Sequence, residues 1–239
     1  MTVVILQARL DSSRLPCKAL LPLDGAPLIL RVMESLSRLP ADLRVLACPE
    51  DSFDTFKALA ASARFEIFAG PKDDVLGRFC LAIRHFGLDR EGACRIIRAT
   101  GDNPFVFCDA AEAINGEAAA LNAGYAGFSG LPYGAGVESV AVPALLRAEK
   151  EAETPYHREH VCPYLYENGN VFTLHRPPAP EKWRRPSIRL TVDTAADYGN
   201  AKLLYTELSR CAPPEERVLG ECIIGAYNRI FSPPPEASV

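Results

Sequence analysis

The chain has 239 residues, a length that fits one large α/β domain or a domain with a small lobe. Hydrophobic residues make up 48% of it, charged residues 23%, and the net charge of -4 argues against a nucleic-acid-binding protein, which usually carries a basic excess. No apolar run approaches the roughly 20 residues that a membrane span needs. The N-terminal residues also lack the basic segment and cleavage site of a secretory signal, so we expect a cytoplasmic protein with no membrane partner.

The first half of the chain alternates between strand and helix patterns. The predicted strands are 3–7, 43–49, 65–70 and 93–100, and the predicted helices are 26–39, 51–63, 74–87 and 109–122. Such alternation predicts β-α-β crossovers and a mostly parallel central sheet. Ligands of such sheets bind at the carboxyl ends of the strands, which favours the loops 8–19 and 100–108 as the site.

The second half is less regular, and we interpret all of 1–239 as a single domain. The predicted strands are 136–142, which can be an antiparallel edge strand, 171–175 and 188–193. The predicted helices are 143–152, 156–169 with an interruption near Pro163, 195–210 and 219–231. The proline-rich stretch 176–186 predicts an irregular, mobile loop with few backbone partners, and the tail 232–239 is expected to fray.

The eight cysteines are scattered along the chain. None forms a CxxC pair, and none lies at zinc-ligand spacing with a histidine. We therefore expect free thiols, several of them in the core, in preference to a metal-thiolate site or a disulfide framework.

The loop after the first strand is rich in positive charge. It reads ARLDSSRLPCK, with Arg9, Arg14 and Lys18 as its cations, Ser12 as a hydroxyl donor and Pro16 to stiffen the turn. It matches neither the Walker nor the dinucleotide-binding glycine pattern. Arginine forks and a lysine point charge are nonetheless the side chains that hold phosphate oxygens, so the loop predicts a polyphosphate site. The alternative is a solvated surface loop.

Two aspartates each follow a predicted apolar strand. Asp102 comes after Thr100 and Gly101, and Asp193 ends the run IRLTVD. Carboxylates at such strand ends can hold Mg²⁺ against phosphates, because magnesium prefers oxygen ligands and one or two carboxylates. The alternatives are a turn cap for Asp102 and a helix cap at Asp193 or Thr194, with Asp197 completing a capping box.

Together these stretches resemble the CMP-KDO synthetase-like cytidylyltransferases, in particular the spore-coat polysaccharide biosynthesis F type. The motifs that carry the resemblance keep the family's order: ARLDSSRLPCK (8–18), DDVLGRF (73–79), TGDNPF (100–105), REHV-x-PY (158–164) and LTVDT-x-x-D (190–197). Cys17 departs from the family pattern, which usually has glycine at this position. A side chain here can change how closely the backbone N–H groups of the loop approach a phosphate.

The resemblance implies a three-layer α/β/α nucleotidyltransferase fold, GT-A-like and Rossmann-like, and a Mg²⁺-dependent reaction. CTP would donate CMP to a small acceptor, a sugar acid or a phosphorylated or phosphonate compound, and pyrophosphate would leave. Arg14 and Lys18 would be catalytic, and Asp102 and Asp193 would hold the metal. The residues expected to bind the nucleotide are Leu6, Gln7, Ala8, Arg9, Ser12, Arg14, Lys18, Asp73, Arg78, Thr100 and Gly101.

The acceptor is expected to bind in the second half. Residues 131–186 would form the acceptor-binding and dimerisation subregion, with Glu138 binding hydroxyls and Arg158 and His160 contacting an acidic acceptor. The family resemblance also implies a homodimer. Two other classes stay open at this point: a GT-A-like glycosyltransferase, for which no D-x-D ends a strand here, and a noncatalytic nucleotide-binding protein.

Overall fold

The computed structural model describes residues 1–90 and 94–232, and the structural statements below concern those residues. In chain order the strands are β1 (Thr2–Gln7), β2 (Pro22–Leu23), β3 (Ala26–Pro27), β4 (Leu43–Pro49), β5 (Glu66–Gly70), β6 (Arg95–Thr100), β7 (Tyr125–Ala126), β8 (Glu138–Ala141) and β9 (Leu174–His175). The helices are α1 (Leu28–Leu36), α2 (Phe53–Ser62), α3 (Val75–His85), α4 (Cys108–Ala120), α5 (Val142–Glu151), α6 (Pro155–His160), α7 (Pro163–Glu167), α8 (Ala195–Cys211) and α9 (Gly220–Phe231).

The central sheet has the order β5-β4-β1-β6-β8-β7-β9. Strands β5, β4, β1 and β6 pair in parallel, and Ile5 at the centre lies opposite Val45 on one side and Arg98 on the other. The predicted mostly parallel sheet is confirmed. Because β1 and β6 are parallel neighbours, the loops that follow Gln7 and Thr100 leave the sheet at the same edge.

Side chains on the two faces of β1 enter two different apolar clusters. Val4 and Leu6 pack against α1, α2, α4, α8 and α9, whereas Val3 and Ile5 pack against α3, α5 and α7. This alternation follows from the two-residue period of a strand, and it places helices on both faces of the sheet. The structure therefore has the three-layer α/β/α arrangement that the family resemblance implied.

The second half of the sheet differs from the prediction in several places. Strand β8 is antiparallel to β6 as expected, but it is not an edge strand because β7 and β9 continue the sheet beyond it. The predicted strand 188–193 is wrong: its backbone bonds to loops, with one isolated bridge between Tyr133 and Arg189. An extended apolar stretch without an adjacent strand edge cannot form a ladder.

Helix boundaries follow the sequence signals more closely. The predicted interruption near Pro163 is confirmed, since α6 ends at His160 and α7 begins at Pro163. Residues 26–27 belong to the short β2–β3 hairpin and not to the first helix, which ends at Leu36. Residue 93 of the fourth predicted strand and residues 233–239 of the tail lie outside the described part of the chain. Among the described residues, no helix combines the length and apolar character that crossing a bilayer requires.

The proline-rich segment 176–186 is irregular, as predicted, but it is well anchored. Ala179 N–H donates to the Ser129 carbonyl at 2.8 Å, and Arg185 N–H donates to the Gly130 carbonyl at 3.0 Å. Trp183 is only 4% exposed, and its indole N–H donates to Asp109 Oδ2 at 3.0 Å. The expectation of few backbone partners is therefore wrong. The turn at Ser129 and Gly130 supplies backbone hydrogen bonds, and buried Trp183 supplies the packing that holds the segment in place.

We predict that Trp183→Ala releases this segment. Truncating a buried aromatic side chain typically costs about 3–5 kcal/mol of unfolding free energy, and here it also leaves Asp109 Oδ2 without its donor. Trypsin should then cleave faster after Lys182 and Arg184, and the melting temperature should fall. Trp183→Phe keeps most of the apolar area and should cost less. Cleavage at the parent rate with an unchanged melting temperature would contradict the anchoring role.

Candidate active site

A cleft of about 760 Å³ opens where the carboxyl ends of β1 and β6 meet. The loop after β1 forms one wall, and the loop after β6 forms the floor. Residues 130–138 and the helix α6 form the opposite wall. The cleft thus joins the two loops that the sheet topology favoured as the site.

The loop after β1 is irregular until a short 3₁₀ turn begins at Lys18. Cys17 immediately before it has a φ of 52°, in the left-handed region that glycine adopts without steric cost. This backbone requirement explains why glycine suits the position, which Cys17 occupies here. The turn directs the Lys18 side chain inward, where it is only 15% exposed.

Charged groups from three separate parts of the chain meet at one point of the cleft. The Lys18 ammonium lies 2.8 Å from Asp102 Oδ2, 3.0 Å from Asp193 Oδ1 and 3.0 Å from the Val192 carbonyl oxygen. Arg14 Nη2 lies 3.2 Å from the same Asp193 oxygen. Two of the predicted phosphate ligands and both predicted metal ligands therefore form one connected cluster.

The floor loop is packed tightly against the first strand. Gly101 N–H donates to the Gln7 carbonyl at 2.8 Å. A Cβ at this position would lie 2.8 Å from Ala8 Cβ and 2.9 Å from Ile29 Cδ1, closer than real Cβ contacts. Glycine at position 101 therefore lets the Asp102 loop approach β1, and this approach brings Asp102 within reach of Lys18.

Asp193 precedes α8, and a set of hydrogen bonds fixes its position. Arg189 Nη2 donates to Asp193 Oδ2 at 2.7 Å and its Nε donates to Asp197 Oδ1 at 3.0 Å. The predicted capping box is confirmed, since Thr194 and Asp197 cap each other's backbone N–H groups. Burial raises the pKa of Asp193, but the Lys18, Arg14 and Arg189 cations outweigh burial and hold the pKa below its ordinary value.

A partly buried polar cluster lies toward the other end of the cleft. Arg98 pairs with Glu138 and also donates to Gln7 Oε1 at 3.0 Å, while the Tyr125 hydroxyl donates to Glu138 Oε1 at 2.9 Å. Burial, then the Glu138 charge, raises the pKa of Tyr125, which keeps its hydroxyl protonated as a donor. Glu138 is therefore already held by two protein groups at the place where acceptor hydroxyls were expected.

Most residues that the sequence analysis named lie together in this cleft. Those that line it are Gln7, Ala8, Arg9, Ser12, Arg14, Lys18, Arg78, Thr100, Gly101, Asp102, Glu138, His160 and Asp193. Arg78 is 2% exposed and donates to the Pro71 and Lys72 carbonyls, so it braces the neighbouring loop as well as lining the cleft.

The structure places three of the named residues outside the cleft. Leu6 is fully buried, and its position between Leu46 and Ala99 commits its backbone to the sheet. Asp73 is exposed on the loop before α3 and does not line the cavity. Arg158 turns away toward Asp74, with which it pairs, and donates to the Glu149 carbonyl at 2.7 Å.

Sequence reasoning missed several residues that line the cleft, chiefly at its far end. They are Lys72, Arg98, Asn103, Tyr125, Phe128, Tyr166, Arg176 and Thr191. Arg98 was the one with a readable signal, because an arginine inside the apolar strand RIIRAT needs a buried partner. The aromatic residues carry no comparable signal, since tyrosine in irregular segments is usually a packing residue.

The donor set of the cleft suits a hard divalent cation. Two carboxylates and one carbonyl oxygen already converge on a single positive group, the Lys18 ammonium. Within residues 1–90 and 94–232, no cluster of three or more acidic, histidine or cysteine ligands forms a complete metal site. Mg²⁺ typically uses one or two carboxylates and completes its shell with water and substrate phosphates, so Asp102 and Asp193 fit this ion.

Fold and site together are those of a nucleotidyltransferase: an α/β/α structure with a cationic loop beside two carboxylates at one edge of the central sheet. Residues 3–218 match the sequence profile of the cytidylyltransferase family, and the chain belongs to that family.

A relative at 30% identity agrees with this assignment, and two solved structures agree with the fold. The spore coat polysaccharide biosynthesis protein SpsF of Bacillus subtilis is 30% identical over 209 residues, which cover 84% of this chain and 85% of SpsF. The structure of a cytidylyltransferase from Leptospira borgpetersenii superimposes with a TM-score of 0.84 at 22% identity, covering 100% of this chain and 98% of the other. CMP:2-keto-3-deoxy-manno-octonic acid synthetase complexed with CTP gives a TM-score of 0.64 at 15% identity, with 86% and 98% covered.

We predict that Gly101→Ala disturbs the floor of the cleft. The added methyl group must displace Ala8, Ile29 or the loop, and overpacking of this kind typically costs about 1–3 kcal/mol. Gly116→Ala is the matched control, because its Cβ meets no atom within 4 Å inside α4, where alanine is favoured by about 1 kcal/mol. Chemical denaturation should show a lower unfolding free energy for Gly101→Ala and a higher one for Gly116→Ala than for the parent. Equal effects would contradict the close approach at Gly101.

A second prediction concerns acid stability. Burial raises the pKa of Asp197, but the Arg189 guanidinium and the N–H groups of Asp193 and Thr194 outweigh it and lower the pKa to about 2 from an ordinary 3.8. Because its pKa is lower in the folded protein, the ionised Asp197 carboxylate adds to the unfolding free energy above pH 3.8. This contribution is lost as the pH falls toward 2.

At pH 6, Asp197→Asn should therefore be less stable than the parent. Between pH 4 and pH 2, the unfolding free energy of the variant should fall less steeply than that of the parent. The difference should be about 1 kcal/mol, because the partly exposed Arg189 is screened by solvent. Asp54→Asn, an exposed carboxylate on α2, serves as the control. Urea denaturation across this range measures the effect, and parallel pH profiles for parent and Asp197→Asn would contradict it.

Proposed function

We propose that the protein transfers CMP from CTP to an oxygen of a small acidic acceptor, with a divalent metal ion, Mg²⁺, held by Asp102 and Asp193. The observation that carries the proposal is the convergence of Lys18 and Arg14 from the first loop with these two carboxylates. Membership in the cytidylyltransferase family favours this reaction over the glycosyltransferase alternative.

The reaction exchanges a phosphoanhydride bond of CTP for a phosphate ester bond to the acceptor. An acceptor hydroxyl oxygen bonds to the α-phosphorus of CTP, the bond from that phosphorus to the pyrophosphate oxygen breaks, and the hydroxyl proton passes to solvent. Such a transfer needs positioning and charge neutralisation more than a covalent nucleophile. Bound Mg²⁺ would supply charge neutralisation at the phosphate oxygens.

The chain's own cations account for the remaining charge. Arg14, with its guanidinium 65% exposed, is free to turn toward an incoming triphosphate, and Lys18 lies beside it. Arg9 and Ser12 line the same wall and can donate to further phosphate oxygens. A set of preorganised donors aimed at the leaving pyrophosphate stabilises the charge that develops there in the transition state.

An acidic acceptor is supported by the far end of the cleft. Arg176 lines that end with its guanidinium 5.0 Å from the centre of the Tyr166 ring, and among the described residues no carboxylate pairs with it. The other arginines lining the cleft bond to carboxylates or carbonyls. An acceptor carboxylate or phosphate would give Arg176 a partner, and Tyr125 and Glu138 can bond to sugar hydroxyls.

The relatives' names agree with an acceptor of this kind. One is a synthetase of a CMP-linked sugar acid, and another serves spore coat polysaccharide biosynthesis. We extend both to this chain as the proposal that its acceptor is a sugar acid or a phosphorylated or phosphonate analogue destined for a surface glycan. The homodimer and the cytoplasmic location expected from the sequence stay predictions.

Pyrophosphate release from CTP across a panel of sugar acids and neutral sugars tests the proposal. Lys18→Ala should lower turnover by about 10²–10³-fold, since removing one transition-state donor typically costs this much, and it should lower turnover far more than folded stability. Asp102→Asn should lose the dependence of the rate on Mg²⁺. Lys57→Ala, an exposed lysine on α2, is the control. Turnover of Lys18→Ala within about twofold of the parent would contradict the phosphate role.

A further inference from the structure

The two oxygens of the Asp193 carboxyl group contact different cations. Oδ2 accepts from Arg189 at 2.7 Å, whereas Oδ1 accepts from Lys18 at 3.0 Å and also lies 3.2 Å from Arg14 Nη2. Arg189 lies four residues earlier in the chain, whereas Lys18 arrives from a distant loop. The two oxygens therefore have separate roles, and only Oδ1 faces Asp102 across the Lys18 ammonium.

Arg189 is held by more than its bond to Asp193. Its guanidinium also donates to both Asp197 oxygens, at 3.0 and 3.3 Å, and stacks 5.0 Å from the centre of the Tyr133 ring. Asp197 in turn accepts from the backbone N–H groups of Asp193 and Thr194. This closed set of bonds uses only protein groups, so it occupies Asp193 Oδ2 without any ligand.

Lys18, by contrast, is bound only to groups that a metal ion would use. Its three acceptors are Asp102 Oδ2, Asp193 Oδ1 and the Val192 carbonyl. A divalent cation bound to the same two carboxylate oxygens would need the space that the ammonium fills. The ammonium must therefore leave before the ion can bind both carboxylates, and a nearby triphosphate is the group that would attract it.

We propose that Arg189 is the positioning residue for the metal-binding oxygen of Asp193, and that Lys18 is an exchangeable counter-ion that keeps the metal position closed until a nucleoside triphosphate draws it away. The inference rests on the proposed function, because it assumes a metal at Asp102 and Asp193. It goes further in assigning an order: the protein without nucleotide binds the metal weakly, and nucleotide and metal binding reinforce each other.

This arrangement gives two substitutions opposite effects. Lys18→Met removes the ammonium that fills the space between the two carboxylates, while the exposed Arg14 stays beside Asp193 Oδ1. The variant should bind Mn²⁺ roughly tenfold more tightly without nucleotide, since a cation within ~4 Å of the ion repels it strongly. Arg189→Met frees Asp193 to rotate and should weaken metal binding by about 10–100-fold, as loss of a partner to a metal ligand typically does. Arg189→Lys keeps one possible contact and should recover part of the loss.

Water-proton relaxation enhancement by Mn²⁺ measures binding directly, without turnover, and distinguishes protein-bound Mn²⁺ from Mn²⁺ on free CTP. The titrations use the full chain with and without CTP. Lys57→Met and Arg147→Met are the matched controls, because the first removes an exposed lysine from α2 and the second breaks an exposed ion pair with Glu151 at the same four-residue spacing as Arg189 and Asp193. Both controls should match the parent.

Thermal melting with and without Mn²⁺ provides a second readout, and Lys18→Gln a second variant, in case Lys18→Met folds poorly. We expect Mn²⁺ to raise the melting temperature of the nucleotide-free Lys18 variants and to leave that of the parent nearly unchanged.

Equal Mn²⁺ affinity of the parent and both Lys18 variants, in the absence of CTP, would overturn the closed position while leaving the proposed metal site intact. Unchanged affinity in Arg189→Met would overturn the positioning role. If the parent with CTP holds no Mn²⁺ at all, the metal of the proposed function fails, and the inference falls with it.

Discussion

The site depends on one shared interaction, the Lys18 ammonium held between Asp102 and Asp193. The three residues come from the loop after β1, the loop after β6 and the segment before α8, which are distant in the chain. Without a cation between them the two carboxylates would repel each other, because like charges at close range in a partly buried site cost free energy. The ion cluster thus joins the first, middle and last parts of the chain at the point where chemistry is proposed.

The fold supplies the geometry that this cluster needs. Parallel pairing of β1 with β6 brings both loops to one edge of the sheet, and Gly101 lets the second loop approach β1 closely. The segment 188–193 then runs past the same edge, with Val192 N–H bonded to the Asp102 carbonyl at 2.9 Å. Because this segment bonds to a loop and not to a strand, Asp193 can face the cleft directly. The same feature explains why a strand prediction failed there.

The sequence predicted those parts of the structure that depend on local periodicity and loop charge. Alternating strands and helices in the first half predicted the parallel sheet, and the ends of the first and fourth predicted strands indicated where Arg14, Lys18 and Asp102 lie. Asp193 joins them although the strand predicted before it does not form. Side-chain contacts between segments that are distant in the sequence were not predictable, because no local pattern records which segments the fold brings together. Arg158 shares a motif with the cleft residue His160, yet its neighbour in space is Asp74, the N-cap of α3. Trp183 anchors a proline-rich loop through Asp109, a contact that no spacing in the chain signals.

The charged groups at the two ends of the cleft differ in their exposure to solvent and therefore in how easily they exchange partners. Beside the first loop, exposed Arg14 and partly exposed Asp102 can exchange partners, since solvent and the phosphates of the proposed nucleotide would compete for each contact. At the far end, Arg98 and Glu138 are mostly shielded from solvent and bonded to Gln7 and Tyr125, so separating them would leave a poorly solvated charge without its partner. The far end is therefore rigid, which suits the proposed acceptor site, whereas the end beside Arg14 can rearrange when the proposed nucleotide binds. Gln7 belongs to both, because it ends β1 where the cationic loop begins and also accepts from Arg98.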